Sequence, residues 1–247
     1  MNFKHTLAFI GLVTSSTLTI STGSAFAFNF TSGSALGTCE PINEFTMKSC
    51  TTADGFTLTV TQNGTVGSLG GFLAEKTVDG VTGVGIYGDD HPHGSLEEID
   101  YGEELTLTSA QPSILQSLDL AFLYKAPAFG DTLDEIAQVT AGGITGTLSV
   151  LTNTTAEWKW NGITQTLTAL SKSDESGGGW YRILNPFGKT EVTDIKLTAP
   201  APEGDYIKHD FSLVGAEKVP EPTTIAGLGL VAGALVAYRR RKNHKAC

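Results

Sequence analysis

Through the middle of the chain, apolar residues alternate with polar ones. Phe56, Leu58 and Val60 are separated by threonines, and Leu118, Leu120, Phe122 and Tyr124 by the single residues Asp119, Ala121 and Leu123. The segment from Ile144 through Leu148 to Val150 repeats the alternation. A period of two puts every second side chain on the same side of an extended backbone, so each run predicts a half-buried strand. Glycine clusters at Gly70-Gly71, Gly142-Gly143 and Gly177-Gly178-Gly179 punctuate the runs. No stretch of the body carries a 3.6-residue apolar stripe of helical length. Roughly ten to thirteen short strands in one unit predict an all-β protein, a β-sandwich of jelly-roll type.

The clearest local element is Thr155 to Leu167, where Asn161-Gly162 separates two alternating runs. Both residues tolerate positive φ, which a two-residue type I′ hairpin demands. The turn fixes the register, pairing Trp160 with Ile163, Trp158 with Gln165 and Ala156 with Leu167 on one face. Lys159 with Thr164 and Glu157 with Thr166 take the other. Trp158 and Trp160 therefore share a face, either as core or as a platform on which a sugar ring stacks.

The two ends break the pattern. Lys4 precedes an apolar run from Thr6 to Val13, and small residues then lead to Ala25-Phe26-Ala27. A charged start, a short apolar run and an Ala-x-Ala site predict a secretory signal peptide over residues 1–27, cut after Ala27. Its apolar run is shorter than the roughly 17 to 25 residues a membrane span needs. At the other end, Val219-Pro220-Glu221-Pro222 is followed by sixteen uncharged residues, Thr223 to Tyr238, and then by Arg239, Arg240, Arg241 and Lys242. As a helix the uncharged run rises about 24 Å, slightly under a hydrocarbon core, and snorkelling Arg and Lys side chains close the gap. The basic cluster fixes that end in the cytoplasm and leaves the body, residues 28–218, on the outside.

This tail, residues 219–247, closely resembles the PEP-CTERM sorting signal, in which a Pro-Glu-Pro motif, a hydrophobic helix and a basic cluster close exported bacterial proteins. The resemblance implies recognition by an exosortase in the inner membrane, cleavage near the motif, and release or attachment at the cell surface. It also implies a Gram-negative-type bacterium that makes exopolysaccharide. The alternative is an uncleaved C-terminal anchor. Within the body, the acidic Glu98-Ile99-Asp100 segment leading into Leu105-Thr-Leu107, and the segments Asn185-Pro186-Phe187-Gly188 and Asp210 to Gly215, resemble the sandwich domains often placed before such tails. That likeness implies fold and no activity.

Charge narrows the partners. The chain carries 26 acidic and 16 basic side chains, a net of −10, and residues 28–218 hold 25 acids against 10 bases. A body with a net of −15 repels phosphate, which excludes nucleic acid as its partner. Cys247 falls in the cytoplasmic tail, so Cys39 and Cys50 remain in an oxidising compartment and are expected to form one disulfide. Hard oxygen donors concentrate in Asp89, Asp90, Glu98 and Asp100, with Glu97, Glu103 and Glu104 beside them. Such a loop suits Ca²⁺, with Asp100 the leading ligand; His91 and His93 favour a transition metal instead, and a solvated acidic loop needs no ion. No nucleophile elbow, zinc-protease motif, Walker loop or dinucleotide fingerprint occurs, so no catalytic residue is assigned. The sequence thus points to an exported, non-enzymatic protein of the cell envelope or extracellular matrix, in a structural, adhesive or glycan-binding role. A secreted carbohydrate-active enzyme of β-sandwich fold is the alternative, recognisable by two carboxylates about 5 to 9.5 Å apart in a cleft beside exposed Trp side chains; buried tryptophans and no such pair favour the structural reading.

Overall fold

The computed structural model describes residues 27–29, 38–41, 47–52, 55–62, 65–66, 71–87, 97–201 and 209–219. Residues 1–26 of the expected signal peptide, the tail from Pro220 onward, Asp89, Asp90, His91 and His93 lie outside the described residues, while Ala27 is described. Among the described residues no helix is long and apolar enough to cross a membrane.

The chain is all-β. Its described strands are β1 (Ala27–Asn29), β2 (Thr38–Pro41), β3 (Met47–Thr51), β4 (Phe56–Gln62), β5 (Thr65–Val66), β6 (Phe72–Val78), β7 (Val81–Tyr87) and β8 (Glu103–Ser113). There follow β9 (Leu115–Ala121), β10 (Ile136–Ala141), β11 (Ile144–Thr152), β12 (Thr155–Trp160), β13 (Ile163–Thr168), β14 (Tyr181–Leu184), β15 (Val192–Thr198) and β16 (Ser212–Lys218). They hydrogen-bond in the order β13-β12-β11-β10-β15-β8-β4-β3-β6-β7-β16-β9-β14, with β1 on β16, β2 on β3 and β5 on β4. The path folds back on itself, and its two ends meet where Gln165 Nε2 donates to the Leu184 carbonyl at 2.9 Å. Two layers facing one core fit a β-sandwich.

Alternation explains the core. Leu58, Leu105, Leu107, Ile195, Val139 and Leu148 from one stretch of the path pack with Leu118, Leu120, Leu213, Tyr181 and Ile183 from the other. In β10 every second residue is buried, as a strand with one solvated face requires. The β12–β13 hairpin has the expected register, Trp160 opposite Ile163 through Ala156 opposite Leu167, with Asn161 at φ 42° and Gly162 at φ 80°. On β11, where Leu148 is the residue opposite Trp158, Gly146 leaves room for the indole: a Cβ there would lie 2.8 Å from the Trp158 ring and 2.6 Å from the Lys159 carbonyl.

The expected strand from Leu118 to Tyr124 is shorter in the fold, because β9 ends at Ala121 and Phe122 has φ 63°. The amides of Phe122 and Leu123 turn to the carbonyls of Gly178 and Gly179 at 2.9 and 3.3 Å. Phe122 then leaves the main core for a smaller cluster with Val81, Tyr124, Ala128 and Val214. Alternation in the residues carries no information about a backbone turn imposed by a distant glycine segment.

Antiparallel pairing of β2 and β3 sets Cys39 directly opposite Cys50. Opposed residues of an antiparallel pair have Cα atoms about 4.5 to 5.5 Å apart, inside the range a disulfide spans.

Candidate functional site

Three separate segments deliver carboxyl groups to one cavity. After the turn at Phe122 the chain passes Tyr124 and a 3-10 turn at Ala128–Gly130, then returns through Glu135 into β10. Tyr124 and Glu135 hold each other: the Glu135 amide donates to the Tyr124 carbonyl at 3.1 Å, and the Tyr124 amide donates to Glu135 Oε2. Glu98 arrives beside β7, where the Ile86 amide donates to its carbonyl at 3.0 Å. Gly85 permits this approach, since a Cβ at that position would lie 2.3 Å from the Glu97 carbonyl oxygen. The next amide, Ile99, donates to the Phe211 carbonyl at 2.7 Å and so ties the Glu98 segment to the one carrying Asp210.

The resulting cavity of about 290 Å³ is lined by Lys76, Val78, Glu98, Tyr124, Phe129, Asp131, Glu135 and Asp210. Glu98 and Glu135 are each 1% exposed and Asp210 is 5% exposed. Lys76 Nζ lies 3.0 Å from Glu98 Oε1 and neutralises that carboxylate. Glu135 is held well above the ordinary carboxylate range, first by burial, then by the negative charges of Asp210 and Glu98 and by a hydrogen bond with Asp210. Two buried carboxyls in hydrogen-bond contact cannot both ionise cheaply, and burial favours the protonated form of Glu135. Burial and the same acids also push the Tyr124 phenol up and keep it neutral. At the mouth Phe129, 59% exposed, stands edge-to-face on Tyr124 with ring centroids 4.8 Å apart.

Chemically, the pocket offers the paired carboxyl groups of Glu135 and Asp210, the Glu98 carboxyl beside the Lys76 ammonium, and an exposed aromatic face. That set can accept hydrogen bonds from hydroxyls. Among the described residues no group of three or more His, Cys, Asp or Glu converges as a metal ion requires.

Of the residues singled out from sequence, Glu98 belongs to this pocket. Asp100 does not line it: its amide donates to Glu103 Oε2 at 2.9 Å while the Glu103 amide donates back to the Asp100 carbonyl at 3.1 Å. With Gly102 at φ 86°, Asp100 to Glu103 forms a closed turn that leads into β8. Buried in that turn, Glu103 is pushed up to about 7 by desolvation, against the Asp100 amide. The idea of a sugar-stacking platform is corrected by Trp158 and Trp160, which are 0% and 3% exposed. Their indole N–H groups donate to the Pro186 and Ile144 carbonyls at 3.0 and 3.1 Å, and both rings meet Phe187 edge-to-face. Their faces serve packing. Of the expected sorting motif, Val219 to Pro222, only Val219 is described, its amide donating to the Ile114 carbonyl at 2.9 Å.

Sequence reasoning missed Lys76, Tyr124, Glu135 and Asp210. Glu135 lies between Asp134 and the apolar start of β10, and Asp210 lies two residues before β16. Nothing local separates these acids from the others that solvate the surface.

Comparison of the chain with protein-family models, with curated proteins and with solved structures yields no match.

Proposed function

We propose that this chain is an exported, non-enzymatic protein of the cell envelope or extracellular matrix, sorted through its C-terminal tail and able to bind glycan hydroxyls. The observation that carries this reading is the tail itself: Val219-Pro220-Glu221-Pro222, the uncharged run to Tyr238 and the Arg239-to-Lys242 cluster stand in one order and spacing. In this reading the body is a jelly-roll-like sandwich, an exosortase handles residues 219–247, and Cys39 pairs with Cys50 once the chain reaches an oxidising compartment. The opposed register of the two cysteines supports the pairing. Replacing Pro220, Glu221 and Pro222 by alanine tests the sorting step. Surface and medium fractions should then lose the protein while the membrane fraction gains it. Unchanged release would reject sorting through this motif.

The second reading, a carbohydrate-active enzyme, needs two carboxyls about 5 to 9.5 Å apart across a cleft; Glu135 and Asp210 are in hydrogen-bond contact and Trp158 and Trp160 are buried, which supports the first reading. Turnover of a polysaccharide that disappears in both Glu135→Gln and Asp210→Asn would establish it; binding without turnover supports the first reading. Calcium remains a proposal for the acidic loop with Asp89, Asp90, Glu98 and Asp100. A bound ion raises stability by RT ln(1 + [L]/Kd), about 2.7 kcal/mol at a hundred times Kd, so melting with Ca²⁺ and with EDTA decides it.

A further inference from the structure

Strand β1 pairs antiparallel with β16, with Phe28 opposite Ala216 and Asn29 opposite Gly215, both retained after a cut behind Ala27. The chain therefore enters the body beside the point where it leaves. That exit is firmly anchored. Lys218 Nζ sits 3.8 Å over the Phe56 ring and donates to Ser109 Oγ at 2.8 Å, and Phe28 packs edge-to-face on Phe56 with centroids 5.5 Å apart. Gly215 allows β1 to lie this close, because a Cβ there would come within 2.3 Å of the Phe28 carbonyl oxygen. The carboxyl pocket belongs to the other end of the same strands. Asp210 precedes β16, Tyr124 follows β9, and β9 pairs Ala121 with Ser212 at that end and Leu115 with Lys218 at the exit. From Ser212 to Lys218 the strand runs about 20 Å.

We infer that the tethered protein stands on the membrane by its β1–β16 pole and turns the carboxyl pocket away from the bilayer, toward polyhydroxylated polymer outside the cell. The inference rests on the proposed reading of the tail as a membrane helix. Its geometric support is a comparison of lengths. The four residues Val219 to Pro222 span at most about 14 Å when extended. Turning the pocket onto the bilayer would lift the exit point by about the 20 Å length of β16, beyond the tether's reach. A lipid headgroup is thus excluded as the pocket's ligand while the tail is in place, and a partner must approach from the far side.

The test uses the full chain after signal removal, with Cys247→Ser, reconstituted in phosphatidylcholine vesicles that carry a headgroup nitroxide. A fluorophore is placed at Gln111→Cys, exposed and three residues from Ile114 at the exit, or at Leu133→Cys, 36% exposed beside the pocket. Quenching should be several-fold stronger at position 111 than at 133. Equal quenching, or stronger quenching at 133, would overturn the inferred orientation and leave the tail reading intact. Failure of the chain to enter vesicles would overturn the tail reading, and the orientation with it.

Discussion

Replacing Glu103 with glutamine is expected to stabilise the protein in mild alkali and to leave it almost unchanged in acid. The carboxyl is 3% exposed, and burial moves its pKa from 4.5 to about 7. Between those values the unfolded chain releases the proton while the folded chain keeps it, so the native state binds more protons and stability falls as pH rises. Above pH 7 both states are ionised and the loss is complete. At 1.36 kcal/mol per pKa unit the full loss is about 3 kcal/mol. Glutamine keeps the shape and the oxygen that accepts the Asp100 amide, and it carries no charge to bury. Urea unfolding of wild type and Glu103→Gln at pH 5 and pH 8 isolates this group, because other titrating residues cancel in the difference. The variant's advantage should grow by about 2 to 3 kcal/mol from pH 5 to pH 8. An advantage that does not change with pH would refute the assignment of the buried charge to Glu103.

Arg182 spans both carboxylate oxygens of Asp119, which is 2% exposed, with contacts of 2.7 to 3.0 Å across β9 and β14. Arg182→Ala should cost about 3 kcal/mol by stranding that charge, and pairing it with Asp119→Leu should recover most of the loss, as chemical denaturation would show. Asp210→Asn removes the negative charge that helps keep Glu135 protonated; the Glu135 pKa should fall, and a Glu135 carboxyl signal followed by NMR or infrared titration should shift to lower pH. Trp158→Ala should cost about 3 to 5 kcal/mol in unfolding, the loss of a buried aromatic side chain, whereas a ligand platform would lose glycan binding with little change in stability.

Period-two alternation made the strands around Leu58, Leu148 and Trp158 legible, because half-burial imprints directly on neighbouring residues. Asn161-Gly162 made one register legible, because positive φ at two successive positions restricts the residue type. The pocket was not legible in the same way. Glu98, Glu135 and Asp210 lie far apart in the chain and meet only through the close approach at Gly85, the Tyr124–Glu135 pairing and the Ile99–Phe211 bond. Two tryptophans sharing a face looked alike for packing and for display; Gly146 and Phe187, which receive them, decide in favour of packing.

Intact-mass analysis of protein recovered from the cell surface tests sorting through the tail most directly. The account predicts a species that begins at Phe28, carries the two-hydrogen mass deficit of one disulfide and lacks the hydrophobic and basic segments after Pro222. A surface species that still carries Arg239 to Cys247 would contradict it.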